Sequence, residues 1–185
     1  MPRKKFIPST DPYHCYNRVH CKAFYPQDKI LDIWNLYQEE LLNVSILYNA
    51  KVHLFLLMSN HYHLLISTPD KNLPEIMRSF QSSVCIGVEK LLNNWKHKFA
   101  VRYKWKLIGD SRQFAQTYKY IVQNPLEAKM VKNIEDYSLS TFSFQNGNFE
   151  KKLNLKIPIH ESTNHDFYAE LPEDLDERRD LLNGI

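Results

Sequence analysis

KVHLFLLMSNHYHLLIS, residues 51–67, is the stretch that decides the fold. An apolar run from Lys51 to Met58 gives way to Ser59 and Asn60, and a second run continues from His61 to Ser67. Two strands joined by a Ser-Asn turn make a hairpin. Upstream, Ile30, Ile33, Trp34, Tyr37, Leu41, Val44 and Tyr48 recur at three- and four-residue steps between Asp28 and Tyr48, the stripe of an amphipathic helix. Ahead of that helix, Tyr13 to Val19 mixes aromatic and β-branched residues with polar ones behind Pro12 and reads as a first strand. Downstream, Leu73, Ile76, Met77, Phe80, Val84, Val88, Leu91 and Leu92 mark a second amphipathic helix, with Asn72 as its cap and Pro74 in its first turn. Val101 to Ile108 alternates, with Val101, Tyr103, Trp105 and Leu107 on one face and Arg102, Lys104 and Lys106 on the other. Ser111 is placed to cap a third helix through Gln123, which Pro125 limits because proline has no amide hydrogen.

Strand, helix, strand, strand, helix, strand is the split βαβ plan of an α+β, ferredoxin-like (RRM-like) fold. The expectation is an antiparallel sheet with helices on one face, an extra helix after the last strand, and the other face open for a site. Its 185 residues and 43% hydrophobic content allow one sizeable core. Residues 1–145 read as that domain, with Asp136 to Phe144 packing on the body. Residues 146–185 read as an acidic, mobile extension.

Charge is distributed unevenly. Residues 1–160 hold 22 basic and 13 acidic side chains, whereas residues 161–180 hold two basic and eight acidic ones. A basic body suits a phosphate-bearing partner, and it also suits a solvated surface. No apolar stretch reaches the length of a membrane span, and no apolar run follows Arg3, Lys4 and Lys5 as a secretory leader requires. A cytoplasmic protein without a membrane partner is expected. Cys15, Cys21 and Cys85 have no repeated spacing and read as reduced thiols; the gap between Cys15 and Cys21 fits no common zinc finger, despite neighbouring His14 and His20.

Two short motifs carry chemistry. His61 and His63, two apart in a strand, project from one face while Tyr62 and Leu64 point into the core. Such a pair can hold a metal, and alone it also reads as two ordinary polar strand positions. In the second motif, Tyr118-Lys119-Tyr120-Ile121-Val122-Gln123-Asn124-Pro125, Tyr120 and Asn124 share a helix face. A phenol near a metal-bound phosphate can attack phosphorus while the Asn124 oxygen serves as a hard ligand. Alone, the pair also reads as a core aromatic and a helix-ending asparagine. Tyr118 lies ~200° around the helix from Tyr120. His53, on the first hairpin strand, reads as a satisfied sheet histidine, and the role of His14 is open.

Met58-Ser59-Asn60-His61-Tyr62-His63-Leu64-Leu65-Ile66, followed about sixty residues later by Tyr120-Ile121-Val122-Gln123-Asn124-Pro125-Leu126-Glu127-Ala128, resembles the REP-associated tyrosine transposases and their insertion-sequence relatives. These are single-tyrosine enzymes of the histidine-hydrophobe-histidine (HUH) type. The likeness runs from Tyr13-His14 and Asn17-Arg18, through Arg102-Tyr103-Lys104, to Asp136-Tyr137-Ser138; Val19-His20-Cys21-Lys22 stands where the family usually has a glycine-rich stretch. The resemblance implies Tyr120 as nucleophile and His61, His63 and Asn124 as metal ligands, with the adjacent Gln123 as the competing oxygen donor. It implies a metal-dependent nuclease and strand transferase on single-stranded or hairpin DNA, acting through a 5′-phosphotyrosine as a monomer or homodimer. Mg2+ or Mn2+ suits phosphate chemistry better than structural zinc. Arg102, Lys104, Lys106, Arg3, Lys4, Lys5, Lys119 and Arg78 are the candidate DNA contacts. The alternative is a DNA or RNA hairpin binder of the same fold, retired from catalysis; further rivals are a hydrolase in which water attacks and a zinc-stabilised structural protein.

Overall fold

The computed structural model describes residues 5–93 and 99–142. Arg3, Lys4 and the extension from 146 onward therefore lie outside the described residues. Strand β1 spans Tyr13–Arg18, helix α1 Ile30–Leu47, β2 Lys51–Leu57, β3 His61–Ser67, α2 Leu73–Leu91, β4 Lys104–Leu107 and α3 Ser111–Glu127. The sheet is antiparallel in the order β2-β3-β1-β4, the expected split βαβ arrangement. None of the helices described is long and apolar enough to cross a membrane.

The hairpin closes as its sequence requires, with Met58 N–H donating to His61 O at 2.8 Å. Its turn is held from outside, because Val19 N–H donates to Asn60 O and Tyr25 N–H to Ser59 O, each at 2.8 Å. The turn before the histidines is thus anchored to two other segments.

Alternation sorts the strands into two faces. Tyr13 and Cys15 of β1, Phe55 of β2 and Tyr62, Leu64 and Ile66 of β3 share one face, as their pairing shows. That face is covered by α1 and α2, whose buried stripes include Ile33, Trp34, Tyr37 and Leu41, and Ile76, Met77, Phe80 and Val84. Aromatic rings dominate the contact: Trp34 stacks on Phe55 at 5.4 Å, and Phe80 meets Tyr62 edge-on at 5.6 Å. Gly87 permits the close approach of α2 to α1, since a Cβ there would lie 2.6 Å from Leu36 Cδ1.

The opposite face carries His14 and Tyr16 of β1 and His61, His63 and Leu65 of β3. Helix α3 packs on it, with Phe114 edge-on to His53 at 5.4 Å and Tyr120 edge-on to His63 at 5.7 Å. His53 falls at a register shift in β2 and hydrogen-bonds Ser67 Oγ at 2.7 Å, so it is the satisfied sheet histidine expected. The segment after α3 returns along β2: Leu57 N–H donates to Leu139 O and Thr141 N–H to Phe55 O, both at 2.9 Å. Tyr137 to Phe142 thereby pack on the body, capping an otherwise open sheet edge.

Three local expectations need correction. Strand β4 begins at Lys104, not Val101: near Arg18 the chain leaves the ladder, with Ala100 N–H bonded to Arg18 O and Asn17 Nδ2 to Val101 O, both at 2.8 Å. Val101 is accordingly 61% exposed, and Arg102 lies outside the strand with its guanidinium over the Tyr103 ring. Helix α3 is capped by Asp110, whose Oδ1 accepts from Gln113 N–H at 2.7 Å, while Ser111 is the first helical residue. Pro125 lies inside the helix, which ends within its next turn. Asn72 precedes α2, but its side chain does not cap; its amide donates to Tyr48 O at 3.3 Å, tying the two helical segments together.

Candidate active site

The pleat of β3 aims His61 and His63 at the α3 face, with their ring centroids 5.2 Å apart. They open into a cavity of about 570 Å³, also lined by Tyr16, Arg18, Lys104, Tyr120, Asn124 and Glu127. Helix pitch brings Tyr120, Asn124 and Glu127 to one side of α3. Tyr118 faces the core instead, 1% exposed and packed on Phe114, so the competitor to Tyr120 is sequestered. Gln123 is buried away from the cavity lining, which leaves Asn124 as the amide facing the histidines.

Both imidazoles are held by hydrogen bonds at Nδ1. Asn60 Oδ1 accepts from His61 Nδ1–H at 2.8 Å, which fixes that tautomer and leaves a lone pair on Nε2. His63 Nδ1 is hydrogen-bonded to His14 Nε2 at 2.9 Å, while His63 Nε2 is buried with no hydrogen-bond partner. Burial holds His61 near a pKa of about 4, with the Arg18 charge adding to the effect. His63 is pushed well below the ordinary histidine range by burial first, then by His14, His61 and Arg18. Asn124 lies near enough to oppose that shift weakly, but no hydrogen bond from it satisfies Nε2. Both rings are neutral at pH 7, the form in which imidazole binds metals.

Burial also raises the Tyr120 hydroxyl above the ordinary tyrosine value; Asn124 opposes this, whereas Glu127 and Tyr16 add to it. The Asn124 amide donates to the Tyr120 carbonyl at 2.7 Å, anchoring the side chain to its own helix turn. Among the described residues, no group of three His, Cys, Asp and Glu side chains could hold a metal ion. An unpartnered buried imidazole nitrogen, a second imidazole of fixed tautomer and an amide oxygen nevertheless fit a divalent ion with mixed nitrogen and oxygen ligands.

The basic residues divide. Lys104 lines the cavity, with its amino group 5.7 Å from the Tyr16 ring centroid. Lys106 faces the same way, directly opposite His14 in register. Lys5 is exposed, and Lys119 on α3 is half-buried outside the cavity lining. Arg78 is exposed on α2, in the helix layer on the other side of the sheet. His14 and Cys15 take opposite faces, which excludes their joint use in a zinc site. All three cysteines are free, and Cys21 Sγ contacts His20 Nδ1 at 2.9 Å on the surface.

Sequence reading left open the role of His14, which meets His63, and gave none to Tyr16, Arg18 and Glu127, which line the cavity. The first three alternate along β1, a visible signal, but their approach to the β3 histidines depends on register. Glu127 is seven residues after Tyr120, two helical turns along the same face.

No family model and no curated protein matches the chain. Among solved structures, the fold is shared with a REP-associated tyrosine transposase bound to a REP hairpin, at TM-score 0.66 and 14% identity, covering 89% of this chain and 93% of that one. A Deinococcus radiodurans protein assigned as a transposase aligns at TM-score 0.45 and 15% identity, over 65% of this chain and 95% of that one.

Proposed function

We propose that this chain is a transposase-like enzyme that cleaves and rejoins single-stranded or hairpin-bearing DNA through Tyr120. The carrying observation is the convergence of His61, His63, Tyr120 and Asn124 on one cavity, with His63 Nε2 buried and unpartnered. A binder alone has no need of that set. The shared fold with a transposase bound to a REP hairpin supports the substrate class.

In this reading His61, His63 and the Asn124 oxygen hold Mg2+ or Mn2+, which when bound neutralises charge on the scissile phosphate. Arg18 and Lys104 hold neighbouring phosphates. The Tyr120 oxygen attacks phosphorus in line; the phosphorus–oxygen bond to the 3′ oxygen breaks, leaving a 5′-phosphotyrosine and a 3′-hydroxyl. The phenol is protonated at rest, the more so for its burial, so it loses its proton during attack while the departing 3′ oxygen takes one up to become the hydroxyl, and protons balance. Attack of a 3′-hydroxyl on the phosphotyrosine reverses the step and reseals DNA without a nucleotide cofactor.

Incubation with Mn2+ and hairpin-bearing single-stranded DNA is expected to give a covalent protein–DNA adduct on a denaturing gel, absent in Tyr120→Phe. Cleavage that survives Tyr120→Phe but is lost in His61→Ala would replace Tyr120 by water as nucleophile. Hairpin binding with no adduct across a broad oligonucleotide pool would make the chain a retired binder.

A further inference from the structure

We propose that His14 is a positioning residue for His63: its Nε2 accepts the His63 Nδ1 proton, so that the His63 Nε2 lone pair is presented to the cavity. The inference rests on the metal-site reading above, but it concerns a residue that reading does not use.

His14 lies on β1 opposite Leu65, and its neighbour on the same face, Tyr16, is the register partner of His63. Its ring therefore reaches His63 on the diagonal of the ladder. The Nε2–Nδ1 distance is 2.9 Å, the ring planes differ by 23° and the centroids are 5.2 Å apart. That centroid separation matches the contact plus the two imidazole radii, which requires both nitrogens and both ring centres to lie nearly on one line. The contact is a linear, in-plane hydrogen bond and not a face-to-face stack. Both residues are buried, His14 at 7% exposure and His63 at 4%, so water does not compete for it.

A neutral imidazole carries one N–H and one lone pair. If His14 were the donor, the His63 proton would sit on Nε2, a buried nitrogen that makes no hydrogen bond, and no lone pair would be left there to ligate. With His63 as donor, no proton is stranded, and the unpartnered Nε2 lone pair is what a cation satisfies. His14 then carries its own proton on Nδ1. Removing the acceptor leaves the His63 proton free to move to Nε2 and block ligation.

Two variants test this. His14→Phe keeps a ring and removes the acceptor, whereas His14→Gln returns an amide oxygen within reach of Nδ1. Mn2+ affinity, read by electron paramagnetic resonance of free ion, is expected to fall roughly 10- to 100-fold in His14→Phe and to recover to within about threefold in His14→Gln. Long-range 1H–15N correlation on the metal-free protein is expected to show His63 protonated on Nδ1 in wild type and as a tautomer mixture in His14→Phe. Cooperative melting of each variant establishes that it is folded. Unchanged Mn2+ affinity in folded His14→Phe, a His14→Gln as weak as His14→Phe, or a wild-type proton on Nε2 overturns the proposal. Absence of Mn2+ binding to wild type would sink the metal-site reading instead, and the nitrogen spectra would then decide the role of His14 by themselves.

Discussion

Across β3, neighbouring residues serve opposite ends. Tyr62 is fully buried among Tyr37, Phe55 and Phe80, beneath two helices; His61 and His63 face a cavity that α3 borders together with β1 and the start of β4. One face is closed by rings packed on rings, so its groups are held by apolar burial. The other carries imidazoles and a phenol around a cavity, with His63 Nε2 buried and unpartnered. A strand can serve both because its pleat sends successive side chains to opposite sides. The lesson is a division of labour: the closed face sets the register, and the register aims the histidines.

That division makes the two faces separable by substitution. Tyr120→Phe is expected to lower adduct formation by at least ~1,000-fold, since no other side chain replaces a lost nucleophile, while moving the melting temperature little. Tyr118→Phe, two residues away but turned to the core, is expected to retain the adduct on the same gel. A Tyr118→Phe protein that loses the adduct while staying folded would reverse the assignment of the two tyrosines.

The closed face should respond in the opposite way. Phe80→Ala is expected to cost ~3–5 kcal/mol in urea unfolding, through lost burial and the cavity left behind. Comparable unfolding costs for Tyr120→Phe and Phe80→Ala would mean that the two faces are not separable.

Acid sharpens the comparison further. His14 and His61 are each held down to about 4, mainly by burial, against an ordinary histidine value of 6.5. Between those values the unfolded chain binds more protons than the folded one, so stability rises with pH across the window and is lost as pH falls toward about 4. The metal-free protein should therefore unfold at lower urea at pH ~4.5 than at pH ~7.5, with a shallower decline in His61→Gln. An equally steep decline in that variant would assign the acid sensitivity elsewhere.

The smallest expected effect is at the rim. Lys104→Ala is expected to weaken single-stranded DNA binding several-fold and to reduce the salt slope by about 1, the signature of one lost phosphate contact. An unchanged slope would remove Lys104 from the interface.

Much of this architecture was readable before any coordinates. Period-two alternation assigned His61 and His63 to one face, and 3.6-residue periodicity separated Tyr120 from Tyr118. Less readable were features governed by competition between partners. Val101 and Arg102 continue the alternation of the following strand, yet the chain departs from the ladder there because Asn17 and Arg18 offer other partners. Asp110 and Ser111 are both good caps, and only the geometry of the first turn chooses Asp110. Asn124 and Gln123 are chemically similar, and the placement of α3 against the sheet turns one to the cavity and buries the other.

Residue order alone was enough for what repeats along the chain: the succession of strands and helices, the shared face of the two histidines, and the helical spacing of Tyr120 and Asn124. Covalent geometry imposes these over a few residues. Three-dimensional packing was needed for what meets across the chain: His14 against His63, α3 over the histidine face, and Arg18 beside His61. Such contacts depend on strand register and helix docking, which the molecule settles collectively by burying its aromatic core.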